Sequence, residues 1–338
     1  MRPTCVLSAT ERRAARFRRT AAVCVVVHLA AVLVLLASAP APPQEEVVAN
    51  LAAGRVLILV TRDAILVGAA ENPIEPETQP PLVIPLGDRR VGILLGPVVW
   101  SWPSAGHEPV RLGVGLQRVM STTVGVGPGR LETEQAGDLE QLGLGLLEVI
   151  RQATDRIYHP LGLAPEEPLV ELLLAGYLEG YGPEVWSLRY RVRQEPLRGD
   201  FLRTRVLRPQ YVQLYPPEKG EPRGILEVRY PRNDPAPQLA DLLAQGDSRL
   251  MRLRSARADL ADLFEKIERG ELHKARSDAA LEFLRTALNL FSEPEHDVVI
   301  ARIEERRGFA WILAPPEPLE AAEQEKRPPG APTLRRRP

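Results

Sequence analysis

The chain has 338 residues, of which 44% are hydrophobic, and its 43 basic and 44 acidic side chains leave a formal net charge of −1. The two kinds of charge are interspersed, so the composition shows no nucleic-acid footprint. Both cysteines, Cys5 and Cys24, lie near the start of the chain. The remainder can therefore form no disulfide bond and no thiolate metal site.

The first predicted element is an uncharged apolar segment at residues 21–39. About 19 residues of helix span about 28 Å, enough to cross the hydrocarbon core of a bilayer. Arginines precede the segment, at Arg12, Arg13, Arg16, Arg18 and Arg19. This charge asymmetry predicts a single-pass protein of the cell membrane, with a basic cytoplasmic N-terminus at 1–20 and the bulk of the chain on the extracytoplasmic (periplasmic) side.

The same segment could instead be a cleaved signal peptide, because Ala37-Ser38-Ala39 resembles a cleavage site. Pro40 follows directly, and proline at that position hinders cleavage. We therefore predict a transmembrane helix or signal anchor at 21–39 and a proline-rich spacer at 40–53.

The predicted folded domain, residues 54–314, opens with two apolar runs separated by a short polar turn. Arg55–Val60 and Ala64–Ala69 predict a β-hairpin that is buried on both faces. Strands are also predicted at Leu82–Ile84 and Val91–Trp100. Pro97 indicates a bulge or an edge position in the latter.

Helical periodicity predicts a first helix near Asp138–Tyr158. Two more hairpins are predicted to follow it, the second more peripheral because it is more polar; their strands are Leu169–Tyr177 with Val185–Val192, and Tyr211–Tyr215 with Ile225–Tyr230.

A helix is then predicted over Ser248–Arg269, ended by Gly270. Its alternating charges suit a solvated face or a subunit contact. The next helix is a cleaner apolar stripe from Ala279 to Phe291, with Phe283 and Leu284 at its buried centre. A closing hairpin (Val298–Ile303 and Phe309–Leu313) and a disordered Pro/Arg tail at 315–338 complete the predictions. Strands, helix, strands, helices and strands in this order are typical of an α+β layered sandwich.

Three segments resemble the proteasome-like branch of the N-terminal nucleophile (Ntn) hydrolases. Val56–Asn72 (VLILVTRDAILVGAAEN) is similar to the opening hairpin of that family, and Glu171–Val192 (ELLLAGYLEGYGPEVWSLRYRV) to its central hairpin. His296–Ile312 (HDVVIARIEERRGFAWI) is similar to its closing strands. The resemblance implies a four-layer αββα sandwich.

Catalysis in that family depends on a Thr, Ser or Cys at a freed N-terminus, with the α-amine as base and a lysine nearby. The resemblance places Arg55 at the nucleophile position, and an arginine cannot attack a carbonyl. The third strand ends around Leu86-Gly87-Asp88, so the lysine is missing too, and the acidic residue of the family corresponds to Asp63 or Glu71. The resemblance thus implies a hydrolase that has lost its activity.

One stretch favours the opposite interpretation. Ser121–Val126 (STTVGV) resembles the start of a mature proteasome β subunit, which makes Thr122 and Thr123 candidate nucleophiles. The polar stretch Gly127–Gln141 does not provide the pair of buried strands that should follow. A glycine-rich loop or a short strand in an insertion is the alternative.

Other candidate sites are weaker. The histidines beyond the apolar segment, His107, His159, His273 and His296, lack metal-ligand spacing, so no metal and no cofactor are predicted. Trp100 and Trp102 could line a pocket or pack under a loop. We predict a membrane-anchored, non-catalytic scaffold or assembly subunit in the cell envelope, held at the membrane by residues 21–39 and able to form homo- or hetero-oligomers, with no nucleic-acid partner. The alternatives are an active hydrolase, with Thr122, Thr123 or an unlocated residue as nucleophile, and an unrelated envelope domain that binds a partner.

Overall fold

The computed structural model describes residues 48–71, 78–79, 81–101, 110–111, 116, 119, 135–155, 161, 163, 166–178, 182–197, 201–232, 236–291 and 298–315. They belong to one compact unit that starts at Val47. The predicted span at 21–39 and the candidate nucleophiles Thr122 and Thr123 lie outside these ranges. None of the helices within these ranges is long and apolar enough to cross a membrane.

Strands and helices alternate in blocks along the chain. The strands are β1 (Val48–Ala52), β2 (Gly54–Val60), β3 (Ile65–Glu71), β4 (Thr78–Gln79), β5 (Leu82–Pro85), β6 (Arg90–Ser101), β7 (Val110–Arg111), β8 (Val170–Leu178), β9 (Gly182–Tyr190), β10 (Val192–Pro196), β11 (Leu202–Val206), β12 (Gln210–Tyr215), β13 (Ile225–Tyr230), β14 (Val299–Glu304) and β15 (Gly308–Leu313). The α-helices are α1 (Gln135–Thr154), α2 (Leu239–Gln245), α3 (Ser248–Ala256), α4 (Ala258–Glu268) and α5 (Ser277–Phe291), with a short 3₁₀ turn at Leu272–Lys274.

The strands form two large sheets and one separate ribbon. The first sheet has the order β12-β9-β8-β6-β1-β4, and β5 and β7 also pair with β6. The second sheet has the order β13-β2-β3-β14-β15, and β10 and β11 pair only with each other. Every pair is antiparallel except β1 with β4. The protein is therefore α+β with mostly antiparallel sheets, as predicted.

The two sheets pack face to face. Alternate residues of β2 point to opposite faces, because the side-chain period of a strand is two. Val56 and Ile58 join Ile93 of β6 and Leu173 of β8 in a core that contains residues of both sheets. Leu57 of β2 lies on the other face, in a cluster with α5. The opening hairpin β2–β3 is thus buried on both faces, which confirms the prediction.

Helices cover the two outer faces. Ile150 of α1 lies in one cluster with Leu172 of β8 on the first sheet. Helices α2 to α5 cover the second sheet, and α5 lies so close to β3 that a Cβ added at Gly68 would approach the Leu288 Cδ1 atom to 2.5 Å. Phe283 and Leu284 have no exposed surface, which confirms their predicted place at the buried centre of this helix.

Several predicted elements are confirmed at nearly their predicted bounds, namely the opening hairpin, the hairpin β8–β9, helix α5 and the hairpin β14–β15. The predicted irregularity at Pro97 is confirmed as well. Asn50 pairs with Val99 and Leu51 with Pro97, so the ladder between β1 and β6 skips one residue there. A bulge of this kind accommodates a proline that cannot donate to the ladder.

The predicted pairing of Tyr211–Tyr215 with Ile225–Tyr230 is wrong. Strand β12 pairs with β9 in the first sheet, whereas β13 pairs with β2 in the second. The connection between the two strands is long and contains prolines, so it imposes no tight turn between them. Tertiary packing therefore determines which strands β12 and β13 pair with. Tyr215 and Tyr230 both enter the core between the sheets.

Three boundaries also differ from the prediction. The predicted helix Ser248–Arg269 is two helices, α3 and α4, separated at Arg257, whose backbone is extended with φ −152°. The Arg257 side chain pairs with Asp259 and Glu282. Part of the predicted spacer 40–53 is strand β1, whose apolar residues pair with the apolar β6. The first helix spans Gln135–Thr154 rather than Asp138–Tyr158.

Candidate functional site

Arg55, the predicted position of a lost nucleophile, lies at the start of β2 with only 4% of its surface exposed. Its Nη1 atom donates to Glu227 Oε1 at 3.2 Å and to the Pro237 carbonyl at 2.7 Å. The guanidinium also lies over the ring of Phe291, the last residue of α5, at 4.0 Å from the centroid. Arg55 thereby connects β2 to β13, to the start of α2 and to the end of α5.

Glu227 and two backbone carbonyls accept hydrogen bonds from a pair of like charges at this point. Arg55 lies directly opposite Arg229 in the ladder between β2 and β13, and like charges at such a pair repel. Glu227 also accepts the backbone N–H of Leu239 at 2.7 Å, and Arg229 donates to the Ala236 carbonyl at 2.9 Å. The cluster has the composition of a structural ion-pair network.

The backbone before Arg55 is continuous and buried. Ala52 ends β1 in the first sheet and Gly54 begins β2 in the second, so the chain crosses between the sheets through Ala53. Ala52 and Ala53 have no exposed surface. Gly54 has φ 135°, which favours glycine because it lacks a Cβ. The backbone that leads into Arg55 therefore lies inside the protein.

The proposed correspondence of Leu86-Gly87-Asp88 with a lysine position beside Arg55 is wrong. The Asp88 carbonyl accepts from Phe309, whose ladder partners lead through Ile303 and Ile65 to Val60. Val60 is at the other end of β2 from Arg55, roughly 17 Å away at the rise of a strand. Gly87 therefore lies at the turn end of the opening hairpin.

Asp63 has a structural role at that same far end. Its carboxylate accepts from the backbone N–H of Ser277 at 2.9 Å and from the Ser277 hydroxyl at 3.0 Å, where α5 begins. Negative charge at a helix N-terminus is stabilising. Of the two acidic candidates, only Glu71 lies at the end of the hairpin that carries Arg55, since it pairs with Gly54.

A cleft of about 460 Å³ lies beside this cluster, between β13 of the second sheet and β9 and β12 of the first. It is lined by Arg189, Leu214, Ile225, Leu226, Glu227, Val228, Arg229, Arg232 and Gln238. These side chains include no hydroxyl, thiol, imidazole or amine, so the nucleophiles of the Ntn hydrolases are absent from the lining. Its one carboxylate, Glu227, is engaged by Arg55 and by the Leu239 N–H.

Two arginines of this cleft share one buried carboxylate. Glu171 on β8 has no exposed surface, and it accepts from Arg189 Nε at 3.1 Å and from Arg232 Nη2 at 2.8 and 2.7 Å. The Ser187 hydroxyl donates to it as well. Because Arg232 follows β13 and Glu171 lies on β8, the cluster joins the two sheets. Both arginines are ion-paired with the same carboxylate.

Glu167 lies next to this cluster and is nearly buried. Its carboxylate accepts the backbone N–H of Arg232 at 2.9 Å. Burial raises the pKa of Glu167, and the hydrogen bond and the charge of Arg232 oppose that shift. A second contact of the same kind, from the Tyr230 hydroxyl to the Leu169 carbonyl at 3.1 Å, also joins β13 to the first sheet.

The other predicted candidates add no site. No group of three or more metal-binding side chains occurs in the described ranges. His273 places Nδ1 at 3.2 Å from the Pro222 carbonyl, whereas His107, His159 and His296 lie outside the described residues, as does Trp102. Trp100 lies within β6.

A scan against protein-family models finds no match to this chain, and a search of curated proteins finds none either.

The residues that build this region were not found by motif analysis. One signal was available for Glu171, which is the single charged residue in the apolar run LVELLLAGY and therefore needs a buried partner. Arg232 carries no such signal, because it occurs in a polar stretch that is typical of solvated surface.

Proposed function

We propose that this protein is a membrane-tethered, catalytically inactive relative of proteasome-type subunits that acts as a scaffold or assembly subunit in the cell envelope. The observation that carries the proposal is Arg55, a buried and ion-paired residue at the position that the resemblance assigns to the nucleophile. A guanidinium cannot serve as the nucleophile, and an N-terminal α-amine is needed for the reaction of that family.

The layering of the domain supports the assignment to a proteasome-like fold. Two antiparallel sheets packed face to face, with α1 on one side and α2 to α5 on the other, agree with the four-layer αββα sandwich that the resemblance implies. The opening hairpin is at the centre of its sheet, between β13 and β14.

Intact-mass measurement combined with an acyl-directed covalent probe tests the proposal. The purified full chain is expected to stay one uncut polypeptide from residue 40 onward, to remain unlabelled and to hydrolyse no peptide or amide. An Arg55→Thr variant is the matched control, and it should stay uncut and inactive because the preceding peptide is buried.

The same measurement separates the alternative hydrolase. A fragment that begins at Thr122 or Thr123, with labelling abolished by substitution of that threonine by Ala, would replace the scaffold proposal with an active enzyme. An uncut chain whose experimental structure lacks the αββα layering would instead favour an unrelated envelope binding domain.

A further inference from the structure

The ribbon β10–β11 is a surface feature that the proposed function leaves unused. Its two strands pair only with each other, from Val192 opposite Val206 to Pro196 opposite Leu202. One face is fixed to the body of the domain, where Val206 and Thr204 are buried and Val206 joins the cluster under α1. The opposite face is therefore presented to the surroundings.

That outer face is basic. Because side chains alternate along a strand, Arg193 and Glu195 of β10 share it with Arg203 and Arg205 of β11. Arg193, Arg203 and Arg205 are exposed, and none of the ion pairs among the described residues involves them. With one glutamate against three arginines, the face has an excess of positive charge.

Two of these arginines are directly opposite each other. Arg193 pairs with Arg205 in the ladder, and like charges at such a position destabilise a two-stranded ribbon. A negatively charged partner would remove that repulsion. The repulsion thus destabilises the ribbon in the isolated domain, and contact with an anionic surface would relieve it.

The end of the ribbon is apolar. Leu197 is 50% exposed and Phe201 is 55% exposed, and the two are joined by a hydrogen bond from the Leu197 N–H to the Phe201 carbonyl at 2.9 Å. The described residues contain only two other exposed large hydrophobic side chains, Leu144 and Leu313. The end of the ribbon therefore presents apolar surface beside the basic face.

We infer that the outer face of β10–β11 docks onto an anionic phospholipid bilayer, with Leu197 and Phe201 entering the interfacial region and the three arginines contacting lipid phosphates. A bilayer combines the two chemistries that the face displays, negative charge at the headgroups and apolar chains directly beneath. A nucleic acid supplies the charge but offers no apolar layer for Leu197. The inference concerns a surface remote from any catalysis, so it stands or fails separately from the proposed function.

The test uses the full chain with Cys5→Ser and Cys24→Ser, reconstituted into nanodiscs. A single cysteine at Leu197→Cys carries an environment-sensitive fluorophore, and Leu313→Cys is the matched control because Leu313 is similarly exposed, at 47%. The discs contain phosphatidylcholine alone or an equimolar mixture with phosphatidylglycerol, each with and without brominated acyl chains. The two single-cysteine variants are otherwise identical, so any membrane anchor is common to both.

The label at 197 is expected to shift to the blue and to be quenched by brominated lipid in the anionic discs, whereas the label at 313 should not change. Each arginine at an anionic surface contributes about fivefold to docking, so Arg193→Gln/Arg203→Gln/Arg205→Gln should weaken the docking equilibrium on the order of 100-fold. The control Arg252→Gln/Arg285→Gln/Arg306→Gln removes equal charge from exposed sites elsewhere and should leave the quenching intact.

Raising the salt concentration should also weaken the quenching of the label at 197 without any arginine substitution, because salt screens exposed charges. Equal exposure of the two labels in anionic discs would overturn the inference, as would quenching that is identical with and without phosphatidylglycerol. Binding of a fluorescent single-stranded RNA that is lost in the ribbon variant, without lipid quenching, would overturn it in favour of a nucleic-acid surface.

Discussion

Replacing Arg55 by methionine should destabilise the protein substantially, because it removes a buried charge whose partners remain. The side chains of Arg55 and Glu227 are 5% and 13% exposed. Removing one partner of a buried ion pair costs about 3–5 kcal/mol. Glu227 keeps its bond to the Leu239 N–H, which places the loss at the lower end of that range, and the lost contact with Phe291 adds about 0.5–2 kcal/mol.

Part of this loss should be recovered elsewhere in the cluster. Arg229 lies opposite Arg55, so removing one of the two positive charges relieves their repulsion. The expected net change in the free energy of unfolding is about 3 kcal/mol. The double variant Arg55→Met/Glu227→Gln should lose at least about 1 kcal/mol less than the sum of the two single variants, because the residues are in direct contact.

Urea unfolding of the full chain, followed by tryptophan fluorescence, measures these differences. Arg252→Met is the matched control, since Arg252 is exposed, and its change should stay within about 0.5 kcal/mol. A loss below about 1 kcal/mol for Arg55→Met, or strictly additive single variants, would refute the view that this arginine is a structural element.

Four further outcomes are expected. Phe283→Ala should cost about 3–5 kcal/mol in urea unfolding, because Phe283 is fully buried and packs edge-on against Phe264; a cost under about 1 kcal/mol would place α5 outside the core. Glu171→Gln should lower the free energy of unfolding by about 2–3 kcal/mol, which is less than for a fully buried ion pair because the two arginines are partly exposed. Ser187→Ala should lower it by only about 1 kcal/mol. Similar losses for the two variants would contradict the assigned charge pairing. Burial raises the pKa of Glu167 above its usual 4.5, so this carboxyl stabilises the folded state most at low pH and loses that contribution as the pH rises through the raised pKa. The variant Glu167→Gln should therefore be more stable than the parent protein at neutral pH, and this gain should vanish on acidification. A gain that is independent of pH would exclude the mechanism. A reporter fused after Arg337 should be active only outside the cytoplasm, and cytoplasmic activity would reject the predicted topology.

The local patterns were sufficient wherever burial was strong and the connection was short. The opening hairpin, β8–β9 and β14–β15 all join apolar strands across short turns, so periodicity and turn composition predicted both the strands and their pairing. The stripe of α5 was equally clear.

Local sequence patterns failed where contacts between distant residues determine the structure. The strands at Tyr211 and Ile225 were predicted correctly, but their partners are β9 and β2, which no local signal specifies. The break at Arg257 has no helix-terminating glycine or proline to announce it, and its guanidinium pairs with carboxylates at Asp259 and Glu282. Charged residues at Glu171 and Arg232 are 61 positions apart, so their pairing could not be predicted from the spacing of a motif.

The order of strands in the second sheet has a consequence for biosynthesis. Its central hairpin is made near the start of the domain, but Ala69 of β3 pairs with Val299 near the end. During synthesis or export, the apolar runs RVLILV and AILVGA therefore stay exposed until most of the chain has emerged and can cover their edges and faces. Non-local pairing of this kind folds slowly and exposes aggregation-prone strands. We expect the nascent chain to depend on a chaperone, with truncations before β14 accumulating as insoluble protein.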